Sequence, residues 1–175
     1  MEIDNRSIRL GDELKKELKS ESRVKIAAAT FSMFAYQQLK EELENIEELK
    51  FIFTNPTFIT DETKTDFREY TIPKKEREQS IFGGKYELKL MNELTQKAIA
   101  RECSDWIRRK AQFKSINIET DEMPNGIRIE NSDDVVAVDR LKNFDRKELG
   151  YEASLFKKSR NLYHAPLSLN YLDEF

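Results

Sequence analysis

The chain holds one histidine, His164, and one cysteine, Cys103. Together they cannot supply a usual zinc set, so no metal site is expected. A nucleophilic imidazole must be held by a carboxylate and stand close to cationic donors. His164 lies in Tyr163-His164-Ala165-Pro166 with no lysine two residues on. It therefore reads as an exposed or structural histidine. Asp133, Asp134 and Asp139 lie near one another, but Ser132-Asp133-Asp134 suits a hairpin turn better than a carboxylate site. Gly83-Gly84-Lys85 lacks the upstream glycine and the following Ser/Thr of a phosphate loop. On residue types and spacing alone, the chain is expected to carry no catalytic group, metal or cofactor.

The spacing that points to a partner is a basic one. Lys85, Lys89, Lys97, Arg101, Arg108, Arg109, Lys110 and Lys114 crowd one stretch, opposed only by Glu87, Glu93, Glu102 and Asp105. At about 100° per residue, Lys97, Arg101 and Arg108 fall on one side of a helix. Such a stripe could track nucleic-acid phosphates without reading sequence. Arg108-Arg109-Lys110 would also offset the dipole at a helix C-terminus, which is reason enough for their charge. Trp106 shares a stripe with Cys103 and Ile107, so it is expected in the core rather than stacked on a base.

The elements that must position these residues follow from periodicity. Leu10, Leu14 and Leu18 recur every four residues and predict a helix over 7–20, with Ser7 as its cap and Gly11 as a weak point. The run Val24 to Ala29 reads as a buried strand. A helix from about Phe34 faces Ala35, Leu39, Leu43 and Ile46 inward. Leu49 to Thr54 makes a second strand, stopped by Asn55-Pro56. This strand–helix–strand unit implies a parallel pair joined by a right-handed crossover. Residues 55–80, rich in charge and interrupted by Pro56 and Pro73, read as a solvated surface excursion. Gly83-Gly84 marks a turn. Tyr86 to Lys110 reads as a long helix with Leu90, Leu94, Ala98, Cys103, Trp106 and Ile107 buried. Extended segments follow at Phe113–Ile118, Ile127–Glu130 and Val135–Val138, with turns at Pro124-Asn125-Gly126 and Ser132-Asp133-Asp134.

Composition bounds the rest. A chain of 175 residues suits one α/β domain. Hydrophobic residues make up 38% and charged residues 36%, implying a modest core under charged loops. The net charge of −3 argues against a surface that binds nucleic acid everywhere, and leaves room for a local basic face. The lone cysteine fits a reduced cytoplasmic setting. Met1 to Leu10 is too polar for a signal peptide, and no apolar run could cross a bilayer, so no membrane partner is expected.

The runs Gly126–Glu130, Val135–Val138 and Asn143-Phe144 through Leu149-Gly150 resemble the active-site half of the phospholipase D superfamily. There a strand with a His-x-Lys pair leads through a hairpin to a second strand, a Gly-Ser-Ser-Asn-Phe-type turn and a helix ending in Leu-Gly. More closely, the blocks IAAATFSMFAYQQLKEEL, LKFIFTNPTF and ELTQKAIARECSDWIRRKAQFKS resemble the N-terminal region of bacterial helicases of the DEAD/DEAH and restriction type, over about residues 3–151. The resemblance implies a phospholipase D-like half, a mixed and mostly parallel sheet flanked by helices, over residues 1–160. Residues 161–175 would be an extension or linker toward the motor. The closing LSLNYLDEF reads as the start of another element, so Phe175 is expected to be a boundary. The stretch Pro124-Asn125-Gly126-Ile127-Arg128 stands where His-x-Lys should be and holds neither residue. The resemblance thus implies a non-catalytic accessory domain of a restriction-modification-type DNA helicase. Its partners would be DNA, the motor domains of the same parent chain and a second copy in a homodimer. ATP and Mg would belong to the motor. The alternatives are a protein–protein or dimerisation module, and a phosphodiesterase or nuclease half completed elsewhere.

Overall fold

Val24, Ile26 and Ala28 alternate with Arg23, Lys25 and Ala27 along the first long strand, and this alternation orients the whole sheet. A computed structural model describes residues 1–54, 59–60, 70–71, 93–116, 124–132, 134–153 and 159–164; the side chains of 59–60, 70–71 and 93–96 are not among what it describes. The elements run β1 (Glu2–Ile3), α1 (Leu10–Glu17), β2 (Arg23–Ala28), α2 (Met33–Gln38), α3 (Lys40–Asn45), β3 (Glu48–Phe53), β4 (Ile59–Thr60), β5 (Tyr70–Thr71), α4 (Glu93–Lys110), β6 (Ala111–Ser115), β7 (Gly126–Glu130), β8 (Val135–Asp139) and β9 (Arg160–His164).

Seven strands form one sheet in the order β1-β9-β8-β7-β2-β3-β6, and β4 pairs with β5 separately. β2, β3 and β6 run parallel. The other neighbours in the large sheet are antiparallel. The expectation of a mostly parallel sheet gives way to a mixed α/β sheet. Parallel neighbours need a crossover, and among the described residues the helical connections α2–α3 and α4 supply them; the hairpin after β7 forces antiparallel pairing.

Pairing places the core. Leu49, Phe51 and Phe53 of β3, Ile127 and Ile129 of β7 and Val136 and Val138 of β8 share the buried face with Val24 and Ile26. The described helices pack on this face. Leu14 and Leu18 from α1 meet Val24, Ile26, Leu43 and Ile129 around one small apolar void. Phe31 holds the centre, edge-on to Phe51 at 5.5 Å and stacked on Phe144 at 5.6 Å. The opposite face carries Lys25, Lys50 and Arg128 in register with one another.

Most of the predicted elements stand, with instructive shifts. The first helix is shorter than 7–20. Asp4 Oδ1 accepts from the backbone N–H groups of Arg6, Ser7 and Ile8, which holds that stretch in a turn, and Ser7 caps nothing. The helix expected from Phe34 is two helices that meet at Leu39. The two differ in burial: Met33, Phe34, Ala35 and Tyr36 of α2 are buried while Gln37 is exposed, whereas α3 buries only Leu43. In α4 the buried stripe is Ile99, Cys103 and Trp106; Ala98, expected inside, is exposed. Gly126, expected in a turn, lies within β7 opposite Ala27 and Asp139. Residues 161–164 are part of the sheet through β9. The excursion expected over 55–80 (apart from the short β4–β5 pair), the Gly83-Gly84 turn, the helix start at 86–92 with Leu90, and the tail 165–175 lie outside the described residues, as does the side chain of Leu94.

Candidate functional site

The basic residues of α4 divide into two groups. Arg109 Nη2 lies 3.0 Å from Glu44 Oε2 of α3, and Lys110 Nζ donates to the backbone carbonyl of Ile46 at 2.8 Å. Arg108 Nη1 meets Asp105 Oδ1 one turn back at 3.2 Å. Lys40 of α3 answers from the other side with a 3.0 Å contact to Glu102. These bonds fasten α4 to α3, so Arg109 and Lys110 serve the fold first. Lys97 and Arg101 are exposed and have no ionic partner among the described residues. Lys114 is exposed on the edge strand β6, on the sheet face opposite the helices. Lys85 and Lys89 lie outside the described residues.

Trp106 is in the core. It is fully buried, its ring lies 5.1 Å from Tyr36 and 6.4 Å from Phe31, and its N–H donates to Leu43. No face is left for a base. Cys103 is buried beside it, and loss of solvation pushes its thiol up to about 12.

The Asn143-Phe144 turn is bonded to the end of β2. Phe144 N donates to Thr30 O at 2.8 Å, Ser32 N to Phe144 O at 2.9 Å, and Ala29 N to Lys142 O at 2.9 Å. The helix expected to end at Leu149-Gly150 is instead a run of turns. Asp145 Oδ1 accepts from Glu148 N, and Leu149 N returns to Asp145 O. Gly150 takes φ +85° with Asn5 packed where a side chain would project, which only glycine accommodates. Beneath it, Arg160 and Glu148 form a fully buried ion pair, and desolvation lowers the Arg160 guanidinium from its ordinary value.

In the stretch expected to correspond to His-x-Lys, β7 carries Arg128. Its Nε lies 2.9 Å from Glu130 Oε1, a carboxylate it shares with Lys25 at 3.2 Å. The only histidine ends β9, two strands away from β7, and has acidic company. His164 Nδ1 lies 3.3 Å from Asp134 Oδ2 and Nε2 lies 3.6 Å from Glu17 Oε1. Two carboxylates around an imidazole repel a phosphate dianion. This trio escaped the sequence reading, because α1, the β7–β8 turn and β9 supply one residue each. The Lys25–Lys50–Arg128 row was equally invisible before the strand register was known.

Compared with protein-family models and with curated proteins, the chain matches none. Among the described residues no helix is long and apolar enough to cross a membrane.

Proposed function

We propose that the chain is a non-catalytic accessory domain of a helicase-type protein, built on a phospholipase D-like half, that positions nucleic acid for an ATP-driven motor. The reading rests on the resemblance in the blocks around Ile26–Leu43 and Glu93–Ser115. The order strand–helix–strand–helix–strand, then an antiparallel strand pair whose following turn bonds back to the end of β2, is consistent with it. So is the chemistry: Arg128 neutralises Glu130, and the single imidazole faces carboxylates rather than cationic donors.

The observation that carries the nucleic-acid part is the outward face of α4. Lys97 and Arg101 project on the side away from Ile99, Cys103 and Trp106 and are not consumed by ion pairs among the described residues. Contacts of this kind are electrostatic, independent of sequence and sensitive to salt. Fluorescence anisotropy with labelled single- and double-stranded DNA at low salt tests it. Binding should weaken steeply with added salt, and K97E/R101E should abolish most of it without unfolding the protein. Unchanged affinity in that variant ends the reading.

A docking or dimerisation module is the second reading. Its support is that Arg108, Arg109 and Lys110, three of the eight residues of the expected stripe, are already paired within the chain. A concentration-dependent dimer with no DNA affinity would select it.

A further inference from the structure

We propose that Glu17, Asp134 and His164 form a binding site for a divalent transition-metal cation of the zinc class. Three separate elements converge there. Glu17 is the last residue of α1, Asp134 precedes β8 in its turn, and His164 ends β9. One ligand atom from each lies within 4.8 Å of the others. Ligands bound to zinc at about 2.0–2.2 Å stand roughly 3.3–3.5 Å apart; Asp134 now meets Nδ1 and Glu17 meets Nε2, so the exposed imidazole must turn until one nitrogen serves the site with both carboxylates.

The donor set selects the metal. An imidazole nitrogen with two carboxylate oxygens suits zinc and its neighbours, whereas calcium and magnesium prefer oxygen alone. Two carboxylates and a neutral imidazole bring a charge of about −2, opposed among the described residues by Lys19, whose Nζ is 3.7 Å from Asp134 Oδ1. His164 is 53% exposed at its side chain and Glu17 15%, so a fourth position opens to solvent.

Surrounding bonds already fix the ligands. Asn131 Nδ2 donates to Asp134 Oδ1 at 3.1 Å and to the Glu17 backbone carbonyl at 3.3 Å. Asn131 Oδ1 accepts from Ser22 Oγ at 2.5 Å. Outer bonds of this type orient metal ligands and keep the free site close to its bound shape. A bound cation would clamp the first helix to the last strand and to the β7–β8 turn, and would stabilise the domain by mass action.

The test is calorimetric titration of the full chain with zinc chloride, paralleled by the visible spectrum with cobalt(II). One equivalent should bind, the cobalt form should show ligand-field bands, and the thermal midpoint should rise with metal. H164A, E17Q and D134N should each lower affinity by about tenfold or more, while E102Q, a carboxylate elsewhere on the surface, should leave it unchanged. Circular dichroism of each metal-free variant confirms that a lost site is not a lost fold. No binding by the unaltered chain, or wild-type affinity in H164A, overturns the proposal.

Discussion

The indole N–H of Trp106 donates to the backbone carbonyl of Leu43 at 2.9 Å, and through that bond α4 is fixed to the last turn of α3. The carbonyl belongs to a short helix whose final acceptors need partners. W106F keeps most of the ring and removes the donor, leaving the Leu43 carbonyl buried and unpaired. The expected cost is roughly 1–3 kcal/mol, with some further loss to the smaller ring. Urea denaturation measures it. Because this is the only tryptophan, its emission should be that of a buried indole and shift to the red on unfolding. Saturating single-stranded DNA should leave the native emission unchanged. Quenching on the native protein would return Trp106 to the role of a stacking platform.

Arg160 and Glu148 give the second prediction. Each side chain is 2% exposed, and Arg160 also donates to the carbonyls of Glu148 and Arg140. Removing one partner strands a charge in the interior. R160M alone should cost about 3–5 kcal/mol, while replacing both residues with apolar ones should cost much less than the sum of the single changes. Thermal unfolding of the two singles and the double closes the cycle. Additive losses would mean that the ions do not depend on one another.

How much of this was legible beforehand differs by kind of signal. Local patterns were readable: the four-residue period of Leu10, Leu14 and Leu18 along α1 and its cap, and the strand–helix–strand order that placed β2 parallel to β3. A short period and the order of neighbouring elements are local properties, so one sequence displays them. The break at Leu39 was not readable, because Ala35, Leu39 and Leu43 keep a helical apolar spacing straight across it. Within the basic stripe, Lys97 and Arg101 are exposed, while Arg109 and Lys110 have partners that no local reading shows, since Glu44 and Ile46 reach them only after α3 folds back. The Glu17–Asp134–His164 trio left no trace at all: each residue is ordinary in its own neighbourhood.

Asp4 supplies a pH prediction. Its carboxylate accepts from Arg6, Ile8 and Ser7 backbone N–H groups, which lowers it from the ordinary 3.8 to about 2. A depressed carboxyl stabilises the fold fully above its unfolded value and ceases to do so as pH falls through its folded value. The stabilising effect of Asp4 is therefore complete at neutral pH, fades from about pH 4 downward and is mostly lost by about pH 2. D4A should be less stable than the parent by a constant amount above pH 5, and the gap should shrink steadily in acid. Thermal midpoints measured from pH 7 to pH 2 show this directly. A gap at pH 2 as large as that at pH 7 would mean that the side chain acts by packing rather than by charge.

Two glycines make the last prediction, and they separate space from backbone strain. At Gly11, a Cβ would run into the Tyr151 ring, yet the backbone there is ordinary helix and its N–H bonds to Leu149 O at 2.9 Å. At Gly150 the backbone itself is left-handed, with φ +85°, and Asn5 Oδ1 is 2.8 Å from where the Cβ would be. Asn5 accepts from Leu10 N and donates to the Glu148 carbonyl, so it has little freedom to withdraw. Tyr151 is a half-buried side chain that packs on the core edge, has Lys15 over its ring at 5.9 Å and donates its hydroxyl to Asp12 at 3.0 Å, so a clash there is met by a side chain rather than by main chain. G150A should therefore cost more than G11A, by about 1–2 kcal/mol. Adding Y151A to each variant distinguishes the causes. It should rescue G11A, which suffers only a clash, and do nothing for G150A, whose strain lies in the main chain. Rescue of both would place the whole penalty in side-chain crowding, and rescue of neither would mean that α1 is held to the 145–151 turns more rigidly than the single Asp12 bond implies.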